Sequence, residues 1–295
     1  MLPIRLKLGK PWTRGGPKGY LVHMKDLEEL AASFAATARG LRDEYLASPE
    51  EGGILSRSFR RRSPLARLEG EWQDRSHVAA LPFRAALAEA EPGRIEPDEA
   101  RIAFWANAYN AFAALSVVEL GVRDRIERQP DFFYRTVAYA AGRRICLEDI
   151  EHGILRGNRS PPGWPFRPFG RRDSRAAWAV REPDSRVVFV LDRCVASSPE
   201  PRVLSSATLR AELAEAESAY AAGYFLAYPE SRTLACSRLF REARADFPGR
   251  WLDDPAYSGW KSRLLPYDGR VAPSRRAPSG RAPSSRAAGE GAAAP

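Results

Sequence analysis

The segment between Pro97 and Gly121 is the strongest helix signal in this chain of 295 residues. Proline near its start and glycine just past its end follow the usual asymmetry of helix termini. Between them, the sequence RIAFWANAYNAF is apolar around most of its circumference, except for Asn107 and Asn110, which share one face. These two amides need hydrogen-bond partners, because a buried amide without one costs about 1–3 kcal/mol.

Two interpretations of the asparagines remain open at this point. In the first, Asn107 and Asn110 bond to a neighbouring loop and fix its position. In the second, they line a site, where they orient a catalytic group or hold a substrate carbonyl. The small alanines beside them permit a close approach in either case.

The sequence CLEDIEHGILR, residues 146–156, predicts a second helix with an apolar stripe. Glu148 and His152 are four residues apart, so the carboxylate can accept a hydrogen bond from one imidazole nitrogen and orient the other. This pair is half of a carboxylate–histidine–nucleophile arrangement. The alternative is a histidine whose hydrogen bonds are satisfied at a helix end, just before Gly153.

A strand is predicted over residues 186–191, because the run RVVFVL is rich in β-branched residues and bounded by turn residues. The loop after it, DRCVASSP, contains the candidate nucleophiles Cys194, Ser197 and Ser198. Loops that follow strands often carry functional groups. A cysteine in this place is nevertheless more often part of the core.

No metal or cofactor is expected. The three cysteines are widely spaced without a CxxC pair, and no two histidines have ligand spacing. The cysteine pattern fits a reducing compartment, and no apolar stretch is long enough for a signal peptide or a membrane span. We therefore expect a cytoplasmic protein.

The remaining patterns predict a single helix-rich α+β domain with a small sheet that includes residues 186–191. Four parts are expected along the chain: an extended arm over 1–20, a helical region over 21–97, an α+β core over 98–270 and a disordered tail over 271–295. Within them we predict helices over 24–45, 68–90 and 204–226, and short strands within 134–139 and 232–235.

The net charge of +9 belongs to three segments: the tail, the stretch 57–67 and the region 156–186. The rest of the chain is mildly acidic, so a nucleic-acid partner is not expected. The last region contains a long insert, residues 157–185, in which four aromatic residues are interleaved with arginines. The insert is interpreted as a surface loop, with a lid over the site or a partner-binding loop as alternatives.

Several motifs together resemble the domain of unknown function 547 family over residues 98–270: RIAFWANAYNAF, LEDIEHGILR, DSRVVFVLDRCVASSP, SRLF with ADF, and LPYDG. The family patterns F-W-I-N-A-Y-N and D-I-E-H-G-I-L-R map directly onto Asn107, Tyr109, Asn110, Glu151 and His152. The resemblance implies that these residues belong to a site, with the asparagines and the tyrosine facing the substrate.

This chain departs from the family pattern L-N-C-G-x-x-S-C-P. Aligned without gaps, Asp192 replaces the asparagine, Arg193 the first cysteine and Ser198 the second. Cys194 lies one position away from the first cysteine. If the chemistry of the family uses either cysteine, that cysteine has been lost, shifted or replaced by serine in this chain.

The leading functional hypothesis is acyl transfer or amide hydrolysis on an unknown small molecule or peptide. His152 would be the general base, Glu148 or Glu151 its orienting carboxylate, and Cys194 or Ser198 the nucleophile. An asparagine would stabilise the oxyanion. The alternative is a non-catalytic binding or scaffold protein that recruits a protein partner through the insert. The first hypothesis requires a pocket at this junction and a nucleophile within hydrogen-bond reach of His152.

Overall fold

The computed structural model describes residues 24–48 and 64–273, with side chains described for 27–48 and 70–273. The predicted arm over 1–20, most of the basic stretch 57–67, and the predicted tail from residue 274 onward lie outside the described residues. Val271, at the start of that predicted tail, forms a β-bridge with Val195.

The asparagine-bearing helix is at the centre of the molecule. Three long helices of the described residues are α1 (Met24–Ala47), α2 (Pro64–Glu89) and α3 (Asp98–Glu119). Every residue of α3 from Ala100 to Val118 is buried, because α1, α2 and the helix of His152 all pack against it. A helix that is apolar on all sides is stable in water only when it is covered in this way. The predicted helices over 24–45 and 68–90 are thereby confirmed.

Aromatic rings fill the contact between α1, α2 and α3. Phe34 of α1 stacks on Phe83 of α2 with ring centroids 4.5 Å apart. Both rings contact Phe112 of α3, at 5.4 and 5.7 Å. Offset and edge-to-face contacts of this kind add to the gain from burying the rings.

Two small sheets complete the α+β fold. The first is a hairpin of β1 (Ala138–Ala140) and β2 (Arg143–Ile145), and its turn residues Ala141 and Gly142 both have positive φ, which suits a tight hairpin. The second has the order β3 (Phe225–Tyr228), β4 (Thr233–Cys236) and β5 (Lys261–Leu264), in which β3 and β4 are antiparallel and β4 and β5 are parallel. The helix-rich α+β class is confirmed.

Two further α-helices flank the second sheet. They are α4 (Leu209–Tyr224) and α5 (Arg238–Glu242). The first confirms a helix within the predicted range 204–226. It begins at Leu209, after a turn over 206–208 whose flanking residues Ser205 and Thr208 donate to the carboxylate of Glu212, and it ends at Tyr224, where β3 follows.

The strand predicted over 186–191 is wrong. Residues Ser185–Phe189 form a short 3₁₀-helix, which begins where the Asp184 carboxylate accepts a hydrogen bond from the backbone N–H of Arg186 at 3.0 Å. The run from Val187 to Leu191 is buried against other elements rather than in a sheet. A short, continuously apolar run is compatible with any buried conformation, so its pattern could not distinguish a strand from a helical turn.

The helix predicted over 146–156 exists, but residues Asp149–Leu155 are wound as a π-helix. Gly153 lies inside it, directly against the ring of Phe169 from the insert. A β-carbon at Gly153 would be 2.5 Å from two ring carbons. The glycine is therefore what allows the insert to pack on this helix.

We predict that Gly153→Ala destabilises the protein by about 1–3 kcal/mol, because the added methyl group overpacks against Phe169. Gly70→Ala is the matched control, since Gly70 is also helical and has open space around the added carbon. The control should stabilise by about 0.5–1 kcal/mol through helix propensity. Urea unfolding measures both, and effects of the same sign would contradict the proposed packing.

Candidate functional site

A pocket of about 360 Å³ opens where the π-helix, the loop 192–199 and α5 meet. Its wall includes Ser197, Ser198 and Tyr267, and apolar side chains such as Leu191. The charged residues on the wall are Glu127, Glu151, Arg193, Arg238 and Glu242. Of the predicted site residues, Glu151 and Ser198 face this pocket.

Arg193 connects the two sides of the pocket. Its guanidinium donates to Glu151 at 2.9 Å and to Glu242 at 3.2 Å, while its side chain remains 32% exposed. The other oxygen of Glu151 accepts from the buried hydroxyl of Tyr109 at 3.2 Å. Burial alone would raise the pKa of Glu151, but Arg193 with its neighbours outweighs it and lowers that pKa to about 2. Glu151 is therefore a fixed negative charge that holds Arg193 in place.

His152 has both ring nitrogens engaged within its own helix. Nδ1 lies 2.6 Å from the guanidinium of Arg156. An arginine can only donate, so Nδ1 is the acceptor and the ring proton is on Nε2. Nε2 lies 3.5 Å from Glu148 and 3.9 Å from Glu151. Burial lowers the pKa of His152, against the opposing effect of Glu151, so the ring is neutral.

Arg156 is itself held by a buried carboxylate. Asp246 accepts from Nε of Arg156 at 2.8 Å and from Arg159 at 2.8 Å. The guanidinium beside His152 is therefore fixed in position. Because this donor occupies the only lone pair of the neutral ring, His152 has no acceptor site left for the proton of a nucleophile.

Glu148 and Glu151 differ strongly in their affinity for a proton. Burial and the nearby charge of Glu151 raise the pKa of Glu148 to about 7, whereas that of Glu151 is about 2. At neutral pH, Glu148 can therefore carry a proton while Glu151 stays ionised.

Cys194 lies away from the pocket wall and is 1% exposed. Its thiol is 3.1 Å from the guanidinium of Arg42, and its backbone N–H donates to Asp192 at 2.6 Å. Burial, with the charge of Asp192, raises the pKa of the Cys194 thiol to about 12. The Ser198 hydroxyl accepts from the N–H of Val195. Within the described part of the chain, neither group is hydrogen-bonded to His152.

The side-chain amides of the two asparagines form hydrogen bonds with the backbone of other segments. Asn107 donates to the carbonyl of Leu204 at 2.8 Å and accepts from its N–H at 2.9 Å. Asn110 donates to the carbonyl of Val190 at 2.9 Å and accepts from the N–H of Asp192 at 2.8 Å. Each amide therefore makes two hydrogen bonds to the backbone of a distant segment, Asn107 at residue 204 and Asn110 at residues 190 and 192.

A comparison with known protein families finds a match for the part of the chain that carries these motif residues. Residues 94–221 match the family described as Protein of unknown function, DUF547. The matched segment contains α3, the π-helix, the insert, the loop 192–199 and most of α4. It confirms the resemblance seen in the sequence over that part of the chain. No curated protein and no solved structure matches the chain.

Several contacts of the matched segment were not predicted as site features. Arg193 was recognised only as a departure from the family pattern, and Arg156 was not considered. The spacing of Arg156 from His152 is the same as that of Glu148, so their contact could have been inferred. Among the described residues, no group of three or more His, Cys, Asp or Glu side chains could hold a metal ion.

None of the described helices is long and apolar enough to cross a membrane.

We predict that Glu148→Gln stabilises the protein at pH 8 by on the order of 1–3 kcal/mol. The pKa of Glu148 is raised from 4.5 to about 7, so ionisation costs stability as pH rises through this interval. The gain should vanish near pH 4, where the carboxyl group is protonated in both states. Thermal unfolding from pH 4 to 8 measures it, with exposed Glu230→Gln as the control. A gain independent of pH would contradict the assignment.

We also predict slow alkylation of the native thiols by iodoacetamide at pH 8. Burial is the main reason that the pKa values of Cys146 and Cys194 are raised to about 12, so little reactive thiolate forms. His152→Ala should leave the labelling rate of Cys194 unchanged, as read by mass spectrometry of its peptide. Fast labelling in the wild type that His152→Ala slows would instead demonstrate a histidine-activated cysteine.

Proposed function

We propose that this protein binds a small molecule carrying a carboxylate, with Arg193 as the group that receives the anion. The observation that carries the proposal is an arginine on the wall of a 360 Å³ pocket, 32% exposed at its side chain and paired with a buried, ionised glutamate. Pockets of this size, with few polar groups in an otherwise apolar wall, are typical of small-ligand sites.

Arg193 has donors to spare for a ligand. It has five N–H groups, and its two ion pairs engage NH1 and NH2 with one contact each. Its partner Glu151 is 5% exposed at the side chain and stays ionised, so the guanidinium cannot turn away without leaving a buried charge unpaired. A guanidinium held in this way can bind a carboxylate with little loss of side-chain entropy.

The rest of the wall favours a ligand with an apolar body. Leu191, Val188 and Leu239 contribute apolar surface, while hydroxyl groups of Ser198 and Tyr267 can bond polar parts of the ligand. Glu242, which shares Arg193 with Glu151, is the carboxylate that a ligand would displace. Glu242 also pairs with Arg238, at 2.6 Å, so it keeps a cationic partner when a ligand carboxylate takes its place on Arg193.

The predicted thiol or hydroxyl acyl transfer receives less support from these contacts. The lone pair of His152 is occupied by Arg156, and the Cys194 thiol contacts Arg42 on the far side of the loop. Ser198 faces the pocket, but its hydroxyl has no basic side chain as a hydrogen-bond partner among the described residues. Binding therefore accounts for more of the observed geometry than this chemistry does.

The test is calorimetric titration of the full chain with N-acetyl-leucine and with its C-terminal amide. We expect the acid to bind at least tenfold more tightly than the amide, because only the acid can pair with Arg193. A tripeptide ending in leucine distinguishes a peptide C terminus from a free small molecule as the source of the carboxylate. Equal binding of acid and amide, or no binding of either at millimolar concentration, would overturn the proposal.

A charge-preserving substitution tests the residue itself. Arg193→Lys keeps a cation beside Glu151 but removes the planar two-donor face, so we expect about a tenfold loss of affinity for the acid. Arg210→Lys is the control, because Arg210 also pairs with a glutamate, Glu99, but does so on the surface. Thermal unfolding checks that both variants are folded, and an unchanged affinity in Arg193→Lys would assign the anion to another group.

A further inference from the structure

The insert, residues 157–185, is attached to the body of the protein at several places along its length. Phe169 packs on Gly153, and Trp178 stacks on Trp105 of α3 with centroids 6.4 Å apart. At the end of the insert, the Asp98 carboxylate accepts from the backbone N–H groups of residues 181 and 182, each at 2.9 Å. Residues between these attachments therefore have defined positions.

One loop of the insert, residues 158–169, closes on itself and projects two aromatic rings. Its ends are joined by Asn158, which donates to the carbonyl of Phe169 at 2.9 Å and accepts from its N–H at 3.0 Å. Between them, Trp164 is 61% and Phe166 is 67% exposed, with centroids 6.0 Å apart. We call these two residues the aromatic tip. Two adjacent large rings exposed to water on an anchored loop form an apolar patch, and such patches often mark interaction sites.

The arginines near the aromatic tip differ from the others of this region. Those with a carboxylate partner are Arg156, Arg159, Arg175, Arg181 and Arg186. By contrast, Arg167, Arg171 and Arg172 are exposed and make no ion pair within the described residues. The unpaired positive charge is thus concentrated just after the aromatic tip.

A second segment extends this basic surface. The hairpin residues Arg143 and Arg144 are also exposed without an ion pair among the described residues. They line a shallow concavity together with Tyr139 and with Asp173 and Arg175 of the insert. Arg175 ties the two segments by donating to the carbonyl of Arg144 at 3.0 Å. Arg171 and Arg172, which directly precede Asp173 in the chain, therefore lie close to the hairpin arginines.

We propose that this surface docks the protein on an anionic lipid bilayer, with the aromatic tip in the headgroup region and the unpaired arginines on lipid phosphates. Tryptophan and phenylalanine are favoured at the membrane interface, and arginines are attracted to anionic headgroups. A bilayer accepts protruding rings without a preformed groove, which a folded acidic protein would have to supply. The proposed lipid contact involves the insert and the hairpin, and it does not depend on ligand binding in the pocket.

The test is co-sedimentation of the full chain with vesicles of phosphatidylcholine, alone and with one quarter phosphatidylglycerol. We expect binding to the anionic vesicles only, and weaker binding as salt rises. Each arginine near an anionic surface strengthens binding about fivefold, so Arg167→Gln/Arg171→Gln/Arg172→Gln should weaken it on the order of 100-fold. Trp164→Ala/Phe166→Ala should weaken it as well.

The matched control uses another exposed aromatic–arginine pair. Tyr228→Ala/Arg263→Gln removes a tyrosine and an arginine that contact each other on the second sheet, and it should bind as the wild type does. Vesicles with brominated acyl chains should quench wild-type fluorescence, and Trp164→Phe should lose that quenching. Insert variants that bind like the wild type would overturn the proposal. Binding to an acidic peptide or single-stranded DNA but not to vesicles would also overturn it.

Discussion

The two amide groups of α3 determine how the loops of this protein are placed. Asn107 and Asn110 lie on a helix with no exposed face, and each one makes a donor and an acceptor contact with loop backbone. Removing either amide would leave buried backbone groups without partners, at about 1–3 kcal/mol for each. The buried helix therefore fixes the residues just before and after the 192–199 loop as well as the core around it.

A second network holds that loop from the opposite side. Asp192 accepts from Arg42 of α1 at 2.5 Å and from the N–H of Cys194 at 2.6 Å. Cys194 has φ of +60°, a conformation that is strained for a residue with a side chain and is held here by these contacts. Arg193 lies between the two anchored residues, so its backbone is fixed and its side chain extends into the pocket. The thiol and the guanidinium thus have separate roles, one in the core and one on the pocket wall.

Contacts that are local in sequence were largely predictable, and contacts between distant segments were not. The ends marked by Pro97 and Gly121 predicted α3, and the four-residue spacing placed Glu148 near His152. No local pattern could show that Arg42 would meet Asp192, because 150 residues separate them. The run 186–191 has strand composition, yet it has no sheet to join, so tertiary packing determines its conformation.

Position 193 determines the charge balance of the whole site. In an ungapped alignment with the family pattern, a cysteine stands where this chain has Arg193. With a neutral residue there, the buried carboxylate of Glu151 would lose its main partner, and its pKa would rise toward the value that burial favours. A protonated Glu151 would in turn relieve the repulsion that helps to raise the pKa of Glu148. Arg193 therefore keeps Glu151 ionised and ion-paired on the pocket wall, which is the charge state that the proposed anion site requires.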